Sequence, residues 1–329
     1  MAYDGKIMHR AMQRFDEDKQ RRAQQFQQRR SRIFAEMPEL ADIDRELRST
    51  MSQIIASALQ RGTDPAPAIR VIRDRNLDLQ CRRAELLSQR GYAPDALEEK
   101  PRCAWCGDTG YRGGEVCACL QSYYAREQIA ELSQMLDIGQ QSFDTFSLRW
   151  YSDERRGQSR SPRENSRHNF ELCRAYANSF GEESGNLLLF GDPGLGKTFL
   201  SACIARVVSE DGFSVVYDTA THIFGQYEQA KFRRDDEGAD DDVGRYQNCD
   251  LLIIDDLGTE MLTSFVQSTL YQIINGRLLG GKKTIISTNL SPEEIGSRYS
   301  PQILSRIEGE YVILPFFGED IRRLKRERM

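Results

Sequence analysis

The feature that most constrains the fold is a glycine-rich segment, GDPGLGKT, at residues 191–198. The apolar run NLLLF precedes it, and a segment with helical spacing of apolar residues follows it. A strand, a loop and a helix in this order place backbone N–H groups and a helix N-terminus around one phosphate group. A glycine turn that only caps a helix is disfavoured, because the strand, the loop, the Lys-Thr pair and the helix are all in register.

The residues of this loop have separate predicted tasks. Glycine allows the backbone N–H groups to curl around phosphate oxygens. We expect Lys197 to reach the β- and γ-phosphates and Thr198 to ligate Mg²⁺, so ATP and Mg²⁺ are the predicted ligands. The predicted nucleotide-binding residues are Gly191, Asp192, Pro193, Gly194, Leu195, Gly196, Lys197, Thr198 and Phe199.

A second apolar run, DLLIIDD, lies at residues 250–256 and ends in two carboxylates. Near-continuous apolar character is typical of a buried parallel strand. We expect Asp255 to hold the Mg²⁺ shell and Asp256 to polarise the attacking water. An apolar run that ends in Asp-Asp would be weak evidence by itself, but its distance from the phosphate loop makes it a Walker B element.

These segments predict an α/β domain with a doubly wound parallel sheet and the ligand at the carboxyl ends of the strands. The expected strands are 186–190, 213–217, 250–256 and 283–289, and the expected helices between them are 199–208, 219–232 and 261–279. Another helix is predicted over 168–180. It follows a polar run at 152–167, which we interpret as a surface loop or linker.

Residues 3–97 have a polar helical pattern rich in Arg, Gln, Glu and Leu, which predicts three or four helices. The segment GTDP at 62–65 should end one helix near Arg61 and start another near Ala66. Helices with long charged faces and modest apolar stripes usually pack on each other or on a partner protein. A solvated helical bundle without a special function remains the alternative.

Four cysteines lie within the 17 residues from 103 to 119, as a CxxC pair followed by a CxC pair. Four thiolates at this spacing predict a closed, structural Zn²⁺ site with the ligands Cys103, Cys106, Cys117 and Cys119. The CxC pair would point to opposite faces of an extended strand, so the chain must turn between its two cysteines. A redox dithiol or cysteines without a ligand remain alternatives.

Composition narrows the class of protein. The formal net charge of −5 argues against a protein that coats nucleic acid with its whole surface, but allows a local basic site. The sequence has no apolar run of the roughly 20 residues that span a bilayer, and the N-terminus lacks the apolar core of a signal peptide. We therefore expect a soluble, cytoplasmic protein.

Several motifs together resemble the AAA+ ATPases of the DnaC/DnaI helicase-loader family. They are the phosphate loop, the strand ends IIDDLGTE and ISTN, and the tail with Ser305-Arg306 and GEDIR at 318–322. The cysteine cluster with its internal DTGY resembles Gram-positive and phage-type members. The resemblance implies that Asn289 is sensor 1, Arg306 the arginine finger and Arg322 sensor 2. The predicted catalytic residues are thus Lys197, Asp256, Asn289, Arg306 and Arg322.

The segment from 219 to about 242 resembles the extra helix of initiator-type AAA+ proteins, which touches single-stranded DNA. Cations that track phosphate, with an aromatic ring that stacks on a base, suit such binding. The predicted DNA-binding residues are Lys231, Phe232, Arg233 and Arg234. A solvated helix end is the alternative, and the acidic run that follows at 235–242 favours it.

The resemblance implies an ATP-dependent loader of the replicative hexameric helicase onto single-stranded DNA, with self-association through AAA+ interfaces and no membrane partner. The expected domains are a partner-binding helical region at 1–100, a zinc module at 101–122, a connecting helix and linker at 123–167, and the ATPase domain at 168–329. The alternatives are a transposition ATPase of the IstB type and an adaptor that uses ATP only as a conformational ligand. The cysteine cluster and its helical leader argue against the IstB type.

Overall fold

The structure is a computed structural model that describes residues 3–59, 66–135, 141–155, 157–232 and 239–327. The chain divides into two compact units. One unit contains residues 14–115, and the other contains residues 1–13 together with 116–329. Among the described helices, none is long and apolar enough to cross a membrane.

The unit of residues 14–115 is mainly helical. Helix α1 spans Gly5–Glu36, α2 spans Pro38–Leu59 and α3 spans Ala66–Gln89. Apolar residues of these helices and of the segment after α3 form the core, namely Ile33, Met37, Leu40, Leu87 and Leu97. The predicted helical N-terminal region is confirmed. Helix α3 begins at the expected residue, whereas the predicted end of the preceding helix at Arg61 lies outside the described residues.

A short hairpin and a helix follow. Strands β1, Tyr111–Arg112, and β2, Glu115–Val116, form a two-stranded sheet, and α4 spans Ala118–Met135. The segment after α4 has two single 3₁₀ turns, Phe143–Thr145 and Leu148–Trp150.

The larger unit contains a five-stranded parallel sheet, which confirms the predicted α/β fold. Its strands are β3 Asn186–Gly191, β4 Val215–Thr219, β5 Leu251–Leu257, β6 Lys283–Thr288 and β7 Tyr311–Phe316. The spatial order is β4-β5-β6-β3-β7, so β6 lies between β3 and β5. The register pairs Leu188 of β3 with Ile286 of β6, and Ile286 pairs in turn with Ile254 of β5. These three carboxyl ends therefore lie side by side.

Successive side chains of a strand point to opposite faces of the sheet, so an apolar strand gives the sheet two apolar faces. Helices cover both faces. Leu187 and Leu189 pack into one apolar cluster with residues of α5 and α6, and Leu188 packs into a second cluster with residues of α7, α9 and α11. The helices are α5 Pro162–Asn178, α6 Lys197–Glu210, α7 Ala220–Phe232, α8 Ala239–Asn248, α9 Ser264–Leu279, α10 Pro292–Arg298, α11 Pro301–Glu310 and α12 Ile321–Glu327.

Two predictions about the elements need correction. The polar run at 152–167 is not a loop throughout, because α5 begins at Pro162. Ser161 caps this helix in a reciprocal pair with Glu164, so polar residues that suggested a loop form a capping box. Strand β7 was not predicted. Its Pro315 argues against a central strand, but β7 lies at the edge of the sheet, where proline is tolerated.

Candidate nucleotide-binding site

The phosphate loop connects β3 to α6, and its glycines are required by the backbone. The φ angles of Gly191, Gly194 and Gly196 are 137°, 78° and 93°, in the left-handed region that favours glycine. A Cβ atom on Gly191 would lie 2.0 Å from the carbonyl oxygen of Phe316, and one on Gly194 would lie 1.9 Å from Asp320 Oδ1. The loop is thus packed closely against the C-terminal segment.

Lys197 is the first residue of α6, and its side chain is almost fully buried. The ammonium group donates to the carbonyl oxygens of Gly191 at 2.6 Å and Asp192 at 2.9 Å, and to Asn289 Oδ1 at 2.8 Å. Burial lowers the pKa of Lys197, although the nearby Asp256 carboxylate opposes this shift. Because the three acceptors are neutral oxygens, the positive charge is available to offset phosphate charge.

Asp255 and Thr198 are brought together across the sheet. The Thr198 hydroxyl lies 3.2 Å from Asp255 Oδ2, and the buried carboxylate also accepts hydrogen bonds from Tyr217 at 2.6 Å and from the Ser287 hydroxyl. A hydroxyl and a carboxylate are hard oxygen ligands of the kind that Mg²⁺ prefers. These two residues therefore fit the predicted metal.

Tyr217 and Ser287 are site residues that the sequence analysis missed. Burial and the Asp255 carboxylate raise the pKa of Tyr217 well above its usual value, so the hydroxyl keeps its proton and donates. The only signal in the sequence was the position of both residues near strand ends. A tyrosine at the end of a strand is too common to indicate a carboxylate partner.

Asp256 follows at the end of β5, with a φ of 52° that is uncommon for a residue other than glycine. Burial and the adjacent Asp255 raise its pKa, while Lys197 and Arg322 act in the opposite direction. A carboxylate with a raised pKa holds a proton more readily, which suits a group that polarises water. The direction of this pKa shift is therefore compatible with the predicted role.

A cavity of about 350 Å³ joins these groups. Four of the five predicted catalytic residues line it: Lys197, Asp256, Asn289 and Arg322. Arg306 is not among the described residues that line the cavity; it is exposed on α11. The structure therefore places Arg306 where it can face another molecule rather than its own loop.

One wall of the cavity consists of residues that the sequence analysis did not assign. Phe146, Trp150 and Tyr151, from the segment of the 3₁₀ turns, line it, and the Tyr151 hydroxyl donates to the carbonyl oxygen of Leu195 at 2.9 Å. The Phe146 ring stacks on Phe170 with centroids 5.0 Å apart. A rigid aromatic wall beside a phosphate loop can accommodate a planar base.

The predicted DNA-binding segment is described only in part. Lys231 is exposed near the end of α7, and its Nζ atom lies 5.1 Å from the centroid of the Phe265 ring. Arg233 and Arg234 lie outside the described residues, and only the backbone of Phe232 is described.

The four predicted metal-ligating cysteines lie close together. The Sγ atoms of Cys103, Cys106, Cys117 and Cys119 are all within 4.8 Å of one another, so the cluster could hold a metal ion. Helix α4 begins at Ala118, between the two cysteines of the CxC pair. Because the chain enters a helix here, Cys117 and Cys119 are not held on opposite faces of an extended strand.

Asp108 supports the first cysteine pair. Its carboxylate accepts from the backbone N–H groups of Cys103 at 2.9 Å and Arg102 at 3.0 Å, and from the Arg22 guanidinium at 3.1 Å. Burial acts to raise the pKa of Asp108, but these three donors outweigh it and hold the pKa below its usual value. An ionised carboxylate thus fixes the loop that presents Cys103.

Comparison with known proteins finds a family match within the larger unit. Residues 170–326 match the family described as IstB-like ATP binding protein. This region is therefore similar to IstB-like ATP-binding proteins. The chain is 25% identical over 135 residues to the replicative helicase loader DnaC of Escherichia coli strain K12. The aligned segment covers 41% of this chain and 55% of the relative. It is 26% identical over 134 residues to the replicative helicase loader DnaI of Bacillus subtilis strain 168. That aligned segment covers 40% of this chain and 42% of the relative.

A crystal structure of the DnaC helicase loader aligns with a TM-score of 0.45 and 20% identity, over 55% of this chain and 99% of that chain. The sequence matches to DnaC and DnaI confirm the predicted resemblance to DnaC/DnaI-type AAA+ proteins. The chain spans about half the length of the curated relatives that it matches. The matched family region contains the whole phosphate loop and Asp255, but not the cysteine cluster.

We expect Lys197→Ala to weaken ATP binding roughly 10- to 100-fold, because hydrogen bonds to a charged group are worth about 1.5–3 kcal/mol. Fluorescence titration with a labelled ATP analogue measures this change. Lys100→Ala, which removes an exposed lysine of the other unit, is the matched control. Equal affinity in Lys197→Ala and the control would contradict the assignment of the phosphate loop.

Proposed function

We propose that this protein is an ATP-dependent loader of a replicative hexameric DNA helicase onto single-stranded DNA. The observation that carries the proposal is a nucleotide-binding site of the IstB-like type in a chain that also has a helical N-terminal unit and a cysteine cluster. Two relatives, each about a quarter identical over their matched segments, are named replicative helicase loaders. The chain would act in the cytoplasm.

We assign the chemistry of ATP hydrolysis to residues at the carboxyl edge of the sheet. Lys197 offsets the charge of the β- and γ-phosphates, and Asp256 orients and polarises the attacking water. Thr198 and Asp255 would hold Mg²⁺, which would neutralise charge on the phosphate oxygens. Asn289 and Arg322 line the same cavity. We assign both residues as sensors that would contact the terminal phosphate.

The remaining contacts involve partners. The helical region binds the helicase, and AAA+ interfaces join subunits so that Arg306 reaches the γ-phosphate held by a neighbour. The end of α7 binds single-stranded DNA, with Lys231 following the phosphates. Its position over the half-buried Phe265 ring supports this role, because it places an exposed cation beside an aromatic ring.

A transposition ATPase is the second candidate, and the family match favours it directly, since that family is described as IstB-like. The match begins at residue 170, so it includes neither the cysteine cluster nor the N-terminal helical unit. We therefore prefer the loader, in which these parts have a partner to bind. An adaptor that uses ATP only as a conformational ligand is the third candidate.

The loader proposal predicts that the full-length protein co-purifies with a hexameric helicase and increases its unwinding of a forked substrate coated with single-strand binding protein. The increase should require ATP and be lost in Lys197→Ala, while helicase binding persists. Absence of helicase binding, with stable binding of a transposase instead, would favour the IstB-type alternative. Full loading without any ATP hydrolysis would favour the adaptor.

We propose that Zn²⁺ is the metal of the cysteine cluster. Elemental analysis of the purified protein should find one equivalent of zinc. Cys103→Ser should lose this zinc, because it removes one of the four thiolate ligands of a tetrahedral site. ATP binding should be retained, since such a site stabilises mainly its own small module. Cys81→Ser, at an exposed cysteine outside the cluster, is the control. Full metal content in Cys103→Ser would rule out the four-cysteine site.

We expect Arg306→Ala to bind ATP normally but to hydrolyse it roughly 10³-fold more slowly, because an arginine finger stabilises the charge of the transferred phosphoryl group. Mixing Arg306→Ala with Lys197→Ala should restore part of the activity, since one variant supplies a competent site and the other an intact finger. ATPase rates of the mixture, with assembly verified by light scattering, measure this. No recovery in an assembled mixture would mean that Arg306 does not act on a neighbouring subunit.

A further inference from the structure

The turn after β5 is bonded to helix α10 through Glu260. Its buried carboxylate accepts from the Gly258 backbone N–H at 2.9 Å and from the Tyr299 hydroxyl. The Arg298 guanidinium donates to the carbonyl oxygen of Glu260 at 2.6 Å and lies 3.7 Å from its carboxylate. Glu260 thus connects two elements that are 38 residues apart in sequence.

One end of this connection is the hydrolysis site. Asp256 has a left-handed backbone, and the Thr259 hydroxyl donates to its carbonyl oxygen at 2.9 Å. Thr259 and Asp256 both line the nucleotide cavity, and Thr259 immediately precedes Glu260. A Cβ atom on Gly258 would lie 2.7 Å from Leu290 Cδ1, so the turn is also packed against the residue after Asn289. A displacement of Glu260 would therefore move the turn that positions Asp256.

The other end is the helix that carries Arg306. Tyr299 follows α10 directly, and α10 packs closely on α11. A Cβ atom on Gly296 of α10 would lie 2.6 Å from Leu304 Cδ2 of α11, so the two helices have no room to slide past each other. Leu304 is two residues before Arg306. The position of the exposed guanidinium therefore depends on how α10 is held.

The buried Glu260 carboxylate and the Tyr299 hydroxyl are both hydrogen-bonded, which stabilises the connection. Burial, with the Glu260 carboxylate as a second cause, raises the pKa of Tyr299, so its hydroxyl stays protonated and donates. A buried carboxylate without donors would be costly, whereas this one accepts from a backbone N–H group and a hydroxyl and lies beside a guanidinium. Removing a single donor leaves the rest of the connection in place but loosens it.

We propose that Glu260 is a positioning residue that couples the Asp256 turn of one nucleotide site to the Arg306 finger offered to the next subunit. The inference rests on the proposed role of Arg306 in hydrolysis. It adds a route by which a change at one nucleotide site alters the finger presented to the neighbouring site. The coupling is carried by the hydrogen bonds of Glu260 to Tyr299 and Arg298 and by the packing of α10 on α11.

Tyr299→Phe tests the coupling, because it deletes one hydroxyl and keeps the ring. We expect kcat for ATP hydrolysis to fall roughly tenfold, as for the loss of a hydrogen bond to a charged group, while KM and ATP affinity stay unchanged. Tyr271→Phe, at a partly exposed tyrosine on α9, is the matched control and should keep the wild-type rate. A wild-type rate for Tyr299→Phe would overturn the proposal.

The decisive measurement is a double-mutant cycle with Arg306→Ala, followed by single-turnover hydrolysis so that slow rates remain measurable. If Glu260 acts through the finger, Tyr299→Phe should cause no further loss once Arg306 is removed. The same tenfold loss in both backgrounds would show a purely local effect and overturn the coupling alone. Wild-type hydrolysis by Arg306→Ala itself would overturn the finger and, with it, this inference.

Glu260→Gln provides a second variant that keeps the side-chain volume and an acceptor for the Tyr299 hydroxyl. It should retain more hydrolysis than Glu260→Ala, which loses every acceptor of the side chain. Thermal unfolding of both variants shows whether they are folded at the assay temperature. Equal rates in two folded variants would contradict a positioning role for the carboxylate.

Discussion

The position of β6 between β3 and β5 is the constraint on which the candidate nucleotide site depends. The phosphate loop follows β3, Asp255 lies near the end of β5, and Asn289 follows β6. Since the strands are parallel, these ends meet at one edge of the sheet. The hydrogen bond from Lys197 to Asn289 joins the neighbouring ends of β3 and β6. The one from Thr198 to Asp255 joins the ends of β3 and β5, between which β6 lies. A slip of one residue in either pairing would turn a carboxylate or an amide towards the wrong face.

The same edge concentrates charged groups in a sheet whose interior is apolar. Lys197 and Asp255 are buried, and each is held by uncharged partners, backbone carbonyl and amide oxygens for the cation and hydroxyl groups for the carboxylate. Such partners fix the positions of the charges without neutralising them. A triphosphate with its Mg²⁺ ion supplies the opposite charges. Binding therefore offsets the free-energy cost of burying the charged side chains of Lys197 and Asp255.

Sequence reasoning succeeded where the signal is local, and it failed where the meaning of a residue depends on distant partners. The phosphate loop and the apolar run of β5 were both recognisable, because their residue types are required by their own backbone or by burial. Ser161 and Glu164 were misjudged as part of a loop, since polar residues serve equally in loops and in helix caps. Pro315 hid β7, because only the order of strands shows that β7 lies at an edge.

The sequence by itself determined the nucleotide loop, the carboxylates of β5, the helical N-terminal region and the spacing of the four cysteines, because each is set by residues close together in the chain. Only the tertiary structure placed Tyr217 and Ser287 on Asp255, and Tyr299 on Glu260. It also placed Arg306 outside its own cavity. These contacts join residues that lie tens of positions apart, and they follow from strand order and helix packing, which no local pattern encodes.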